Sequence, residues 1–259
     1  MSDALALARR WVVDYFNRHD ARAAREFCAP GYTLHIGDTV FAGRDDAWLP
    51  AVDEQMRAFP GLGMTVHQTL CGNDWAAVWF SQHGASRGRV AVWSGVAIYR
   101  GEKGWLSGCT AQEDYYTRRR QLKSGQADPV DPPCAAPWDN APAAPAPGVE
   151  AVVAEWLRGG WPAACGDVVC DDDHITGAPL RFAVQETMAL EMFSSGPHVA
   201  FYARQRGIYR GGLDAPGAEG HDGFLDCNGI VTVADGAVAG GRVIRDRMGL
   251  WSRLRGAAV

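Results

Sequence analysis

The stretch Ala111–Leu122, AQEDYYTRRRQL, has an echo at Val243–Leu254, VIRDRMGLWSRL. Asp114 stands eight residues before Leu122, and Asp246 stands eight before Leu254. One offset of 132 relates both pairs, and Gly104 and Gly236 share it. A constant offset of this size marks two copies of one domain, so repetition governs the reading of the rest. Each stretch closes a run of segments with strand character, which gives two strand-rich units in tandem.

Outward from the first stretch, Val90–Tyr99 and Trp105–Tyr115 are predicted to pair across Gly101–Gly104. Met64–Leu70 and Trp75–His83 form a hairpin through Gly72-Asn73-Asp74. Upstream, Leu7, Ala8, Trp11 and Tyr15 fall at helical spacing, and Asp20 suits the cap of a second helix ending at Phe27. Tyr32–Ile36 reads as a strand, and Gly43–Phe59 has helical spacing up to the Pro60-Gly61 break. Helix, helix, strand, helix and then a meander predict an α+β fold. Its curved antiparallel sheet wraps over helices as a cone, open at one end where ligands bind.

Seven of the 14 prolines fall between Ser124 and Gly148. This composition predicts a semi-rigid linker over 125–148, which Trp138 can pin to a surface, between units at 1–124 and 149–259. In the second unit Val152, Val153 and Trp156 answer Val12, Val13 and Tyr15. Phe182–Phe193 and His198–Gly207 form a hairpin, in which Gln205 and Gly207 answer Gln82 and Gly84 at an offset of 123. Gly43 to Gly84 spans 41 residues but Gly177 to Gly207 only 30, and the Gly43-Arg44 pair becomes Gly177-Ala178. The deficit matches the third helix, so the second copy is predicted to be shortened there. Gly211–Gly223 reads as a mobile glycine-rich loop near an opening. A covalent pseudo-dimer follows, with further homodimerisation left open.

Two segments carry a family resemblance. GYTLHIGDTVFAGRDDA (31–47) resembles the tyrosine strand, histidine and Gly-Arg pair of SnoaL-like polyketide cyclases, in the nuclear-transport-factor-two-like superfamily. EDYYTRRRQL (113–122) resembles their final strand. The resemblance implies a cofactor-independent acid–base enzyme acting on a hydrophobic, ring-containing molecule. The reaction would be of the cyclase, isomerase, dehydratase or retro-aldol lyase type. It assigns an acid–base role to Asp114 and matches His35 to the family's pocket histidine, so that the two would share the acid and base roles as catalytic residues.

The chemistry of these residues agrees, with alternatives. An aspartate inside an apolar cone has its pKa raised by desolvation, whereas Asp114 paired with Arg118 or capping a strand end would be structural. Histidine is the residue type whose charge can change near neutral pH, and His35 lies on the opposite strand face from Tyr32, Leu34 and Ile36; parity leaves open which face lines the pocket. Tyr15, Tyr32, Arg44, Trp79, Trp93 and Gln112 complete the predicted substrate-binding set, and the ten tryptophans suit a flat ring. Arg44 also suits a structural salt bridge, and Asp246, beside Arg245 and Arg247, reads as a structural ion-paired residue. The competing readings are a carrier of a lipophilic metabolite and a protein-binding scaffold.

Other classes lack their residues. A net charge of −5, with Arg118–Arg120 as the only dense basic run, gives no nucleic-acid stripe. No window approaches the ~20 apolar residues of a membrane span, and the N-terminus lacks a signal-peptide pattern. Seven cysteines, odd in number and without C-x-x-C spacing, point to reduced thiols in a cytoplasm. There is no Walker loop, dinucleotide fingerprint or nucleophile elbow, so no cofactor is expected. Cys170–His174 contains metal-binding residue types without ligand spacing, so no metal is expected either.

Overall fold

The computed structural model describes residues 3–159, 167–176 and 179–257. Cys165 and Gly177, which enter the reading above, lie outside the described residues. The first unit opens with α1 (Asp3–Arg10), which buries Ala4, Leu5 and Ala8 and runs on as a π-helical stretch, Trp11–Phe16. α2 (Ala21–Phe27) starts at Asp20, whose carboxylate accepts the Arg22 N–H, an N-cap. β1 (Cys28–Ile36) and β2 (Thr39–Ala42) lead into a second π-helical stretch, Arg44–Trp48, and α3 (Leu49–Ala58). Then come β3 (Gly63–Cys71), β4 (Trp75–Ser86), β5 (Arg89–Glu102) and β6 (Trp105–Glu113). The sheet order is β2-β1-β6-β5-β4-β3. The sheet is mixed: β1 runs parallel to β6, Leu34 opposite Cys109 and Ile36 opposite Ala111, and the other pairs are antiparallel.

The last strand is shorter than its sequence suggests. Tyr115 and Tyr116 favour a strand, yet β6 stops at Glu113 and Tyr115–Ser124 forms α4. The Asp114 side chain accepts the Thr117 N–H, and Gly125, at φ 76°, closes the other end. A good cap at each end outweighs the strand propensity of two tyrosines.

The second unit repeats the wiring. α5 (Pro147–Arg158), β7 (Asp167–Cys170), α6 (Asp173–Thr176), β8 (Arg181–Ser195), β9 (His198–Gly211), β10 (Asp222–Ala234), β11 (Ala237–Arg245) and α7 (Arg247–Ala257) follow in order. Its sheet runs β7-β11-β10-β9-β8, the first sheet without a β2 counterpart. Gln82 faces Trp93 in one ladder and Gln205 faces Leu225 in the other, so the two sequence offsets meet in equivalent registers. Among the described residues only the four-residue α6 occupies the place of α3.

The glycine-rich loop packs down over the second core instead of standing free. Leu213, Ala215 and Ala218 are buried, Tyr209 exchanges hydrogen bonds with Leu213, and Trp251 Nε1 donates to the Asp214 carbonyl at 2.7 Å. Apolar burial and satisfied backbone groups hold it.

The two sheets pack against each other. Leu70, Trp75, Ala77, Val96 and Ile98 of the first meet Ala200, Ile230 and Ile244 of the second. Beside this apolar contact lies a charged one. Asp114, Asp171, Asp172, Asp173, Arg242, Arg245 and Arg247 are each at most 5% exposed. Arg247 reaches Asp114 (2.5 Å) and Asp173, Arg245 reaches Asp171, and Arg242 reaches Asp172. Asp172 also accepts from the Ser94 hydroxyl (2.8 Å) and the Ser94 N–H (3.1 Å) of the first unit. The linker lies along β3: the Cys134 N–H donates to the Val66 carbonyl (3.0 Å) and Asn140 Nδ2 to the Thr69 carbonyl (2.8 Å), while Trp138 packs on the first core. It thereby covers a sheet edge.

Candidate active site

The first cone encloses a cavity of about 380 Å³. The two π-helical stretches carry Trp11, Phe16 and Trp48 into its wall, and α3 adds Val52. The sheet supplies Leu34, Ile36, Phe80, Ala97, Tyr99, Cys109 and Ala111. Against this apolar lining stand a few polar groups: Gln55, Gln82, Gln112, Glu113 and Tyr115. A mostly apolar pocket with a few convergent polar groups is the usual form of a small-molecule site.

Strand alternation places Cys109, Ala111 and Glu113 on the inner face of β6. The Glu113 carboxylate accepts from Trp93 Nε1 (2.8 Å) and Gln82 Nε2 (3.0 Å), and it is hydrogen-bonded to Tyr115. Gln82 is itself fixed, its Oε1 accepting from Gln55 at 3.1 Å. Burial pushes the Glu113 pKa above the usual 4.5, more strongly than Trp93, the Arg118 charge, Tyr115 and Gln82 pull it down. Arg118 stacks over the Tyr115 ring, 4.2 Å from its centroid, and does not pair with Asp114. Burial lifts the phenols of Tyr99 and Tyr115 well above 10, so both remain protonated in neutral solution. The cavity therefore holds a half-buried glutamate whose carboxyl group is set among protonated donors.

Of the residues singled out in the sequence, Gln112 lines this cavity, and its Oε1 accepts the Gly37 N–H at 3.2 Å. Trp93 is fully buried behind Glu113 and holds it. Asp114 is not in the lining: one position further along β6 the side chain turns to the other face, where it caps α4, pairs with Arg247 and accepts the Asp172 N–H. Burial opposes ionisation of Asp114, but Arg247 and the Asp172 and Thr117 N–H groups overcome it and hold the pKa below 3.8, the reverse of the expected rise.

His35 also faces outward. It is exposed, beside Thr33, Arg100, Glu191 and Tyr202 in a groove between the sheets, while its neighbours Leu34 and Ile36 line the cavity. Tyr15 and Tyr32 are core residues packed on Trp48, at ring-centroid distances of 5.2 Å and 4.5 Å. Arg44 ties the Cys28 carbonyl (2.8 Å) to Asp45, a structural brace. Trp79 stands on the outer face against His67. The residue overlooked in the sequence is Glu113, whose signal is its shared parity with Cys109 and Ala111.

One end of the cavity comes from the second unit. The β1–β2 turn (Gly37, Asp38, Thr39) faces Asp246, Met248, Gly249, Ser252 and Arg253 at the start of α7, and Arg253 reaches Asp38 at 2.9 Å. Asp246 is ion-paired as expected, but with Arg253 at 3.9 Å and not with its neighbours, because Arg245 and Arg247 are drawn to Asp171, Asp173 and Asp114. Among the described residues no three His, Cys, Asp or Glu side chains group as metal ligands; the three consecutive aspartates meet arginines instead. No helix among the described residues is long and apolar enough to cross a membrane.

A cone-shaped α+β domain with a mostly apolar, half-open cavity defines the class. Residues 8–106 match the family model of the SnoaL-like domain, and the first copy is a SnoaL-like domain; the second repeats its strand order in shortened form. Several solved structures are similar to this chain. IdmH from Streptomyces antibioticus, a candidate polyketide cyclase, is 21% identical over 46% of this chain and 96% of its own, with a TM-score of 0.42. A candidate SnoaL-like polyketide cyclase from Jannaschia sp. CCS1 is 15% identical over 49% and 94%, also at 0.42. TsrD from Streptomyces laurentii is 19% identical over 45% and 92%, at 0.41. No curated protein matches the chain.

Proposed function

We propose that the protein is a cofactor-independent acid–base enzyme acting on a hydrophobic, ring-containing small molecule, with Glu113 as the group that moves the proton. The observation that carries this reading is the Glu113 carboxyl group, held by Trp93, Gln82 and Tyr115 inside a mostly apolar cavity. Desolvation makes its carboxylate a stronger base than a solvated glutamate. Trp11 and Trp48 offer flat faces to a ring, and the Tyr115 and Tyr99 hydroxyls are donors for an oxygen that gains charge.

Abstraction of a proton next to a carbonyl gives an enolate. Return of that proton at another carbon isomerises the substrate, attack of the enolate on a second carbonyl closes a ring, and the reverse step cleaves a carbon–carbon bond. Membership of the first copy in the SnoaL-like family supports chemistry of this type.

The test is proton exchange. Ring-containing ketones incubated with the protein in D₂O should lose their α-proton NMR signals faster than buffer controls, and Glu113→Gln should slow that exchange by about 10²-fold or more. Exchange that is equal in wild type and Glu113→Gln removes Glu113 from the role. Tight binding of the same ketones without any exchange would support the carrier reading instead.

A further inference from the structure

The two copies share the same hydrogen bonds at their strand–helix junctions, and the likeness then breaks. Asp114 precedes α4 and Asp246 precedes α7. Asp114 accepts the Thr117 N–H and Asp246 accepts the Gly249 N–H, each three residues on. The backbone N–H of Asp114 donates to Ser94, and that of Asp246 to Asp226, again the same offset. The difference is the group facing each carboxylate from the other copy. Opposite Asp114 stands Arg247, at 2.5 Å. The counterpart of Arg247 is Tyr115, whose ring carries no charge and whose hydroxyl bonds Glu113.

Asp246 therefore has no guanidinium as close as the one its twin holds: its ion pair with Arg253 spans 3.9 Å, against 2.5 Å between Arg247 and Asp114. It is 8% exposed, it lines the cavity, and its Oδ2 has no hydrogen-bond partner among the described residues. That oxygen presses on the β1–β2 turn, where a Cβ on Gly37 would lie 2.9 Å from it. The groups around it are Tyr115 from α4, Asp38 from the turn, Asp226 from β10 and Arg253 from α7, whose guanidinium stays 3.9 Å away and is engaged with Asp38. Burial raises the Asp246 pKa; the Gly249 N–H and the Arg253 charge pull against it, and Asp38 and Asp226 add to the rise.

We infer that the second copy completes the cavity of the first: Asp246 is a second acidic group of the binding site, and the site built by both copies selects uncharged ring molecules against carboxylates. An uncharged ligand brings no second charge to this end of the cavity. A carboxylate of the same shape must be desolvated beside Asp246 and Glu113, each of which is ionised or must take up a proton to receive it. The inference rests on the cavity being the ligand site but does not require Glu113 to be the proton-transferring group.

The experiment compares 2-naphthol with 2-naphthoate, matched rings with neutral and anionic substituents, in ligand-observed NMR titrations at pH 8. Wild type, Asp246→Asn and Glu113→Gln are compared. Asparagine keeps the cap on Gly249, and Asp246→Ser, which also caps, is the second variant should the first fold poorly. Wild type should prefer the naphthol, and either Asp246 variant should narrow that preference by about tenfold through gained naphthoate affinity. An unchanged preference in folded Asp246 variants, with Glu113→Gln narrowing it, overturns the role of Asp246 and leaves the reading of Glu113 standing. The opposite pattern supports Asp246 and counts against Glu113. If neither probe binds wild type, the cavity is not a ring site and both readings fall.

Discussion

Replacing Asp114 with asparagine separates the chemical and structural readings of the aspartate that sequence most strongly marks for catalysis. The structure makes it a stabilising residue. In the folded protein one carboxylate oxygen accepts from Thr117 and the other from Arg247 and Asp172. Asparagine can retain the first bond, but its amide nitrogen then turns two hydrogens toward donors that need an acceptor. Arg247 is 3% exposed and would keep Asp173 and the Thr117 hydroxyl while losing its charge partner across the interface. Removing one partner of a buried ion pair typically costs about 3–5 kcal/mol. For a chain of this size about 2–4 °C of Tm accompanies each kcal/mol, so Asp114→Asn should melt about 6–20 °C below wild type. Circular dichroism at 222 nm reads the transition, and proton exchange on a ring ketone at a temperature where both variants are folded reads the chemistry. A variant with unchanged Tm and abolished exchange would refute this reasoning and return Asp114 to the active site.

Glu113 makes a second expectation, in pH dependence. Its folded pKa is raised above 4.5, so its share of stability is full below that value and is lost as pH rises through the folded pKa. Denaturant titrations of Glu113→Gln should lack that part of the slope, and a slope identical to wild type would count against burial of the acid. Gly37→Ala places a side chain at φ 57° against Asp246, so a loss of about 1–2 kcal/mol and weaker 2-naphthol binding should appear together in melting and titration experiments. Trp48→Ala opens the centre of the aromatic cluster and should cost about 3–5 kcal/mol in chemical denaturation. His35→Ala, at an exposed position outside the cavity, should leave both Tm and exchange within error of wild type.

Much of the fold was legible because its signals are local or strictly periodic. The 132-residue offset maps β6 onto β11 and the Asp114 junction onto the Asp246 junction, and the shortfall before Gly207 falls where α3 is replaced by α6. The site was less legible because it turns on parity. Leu34 and His35, or Glu113 and Asp114, differ by one residue and by an entire face of the sheet. The apolar residues of β1 mark the inner face only once the helices beneath them are known. The partner of Asp114 lies 133 residues away on α7, and nothing local to Asp114 points to it. Arg118, four residues on, looks like the partner but stacks on rings instead.

The linker strapped along β3 bears on how this interface can exist at all. Of the seven buried charged side chains, Asp114, Asp172, Arg242 and Arg247 make contacts from one copy to the other, and buried clusters of this kind often return little more than their desolvation costs. Two separate chains would also lose translational and rotational freedom on pairing, on the order of 4–15 kcal/mol at the usual standard state. Here the strap docks on one copy before delivering the other, and a short tether supplies a local concentration of millimolar order. Covalent connection thus relieves the junction of the need to be sticky. Its buried charges are left free to fix one orientation, the one that brings α7 to the rim of the neighbouring cone.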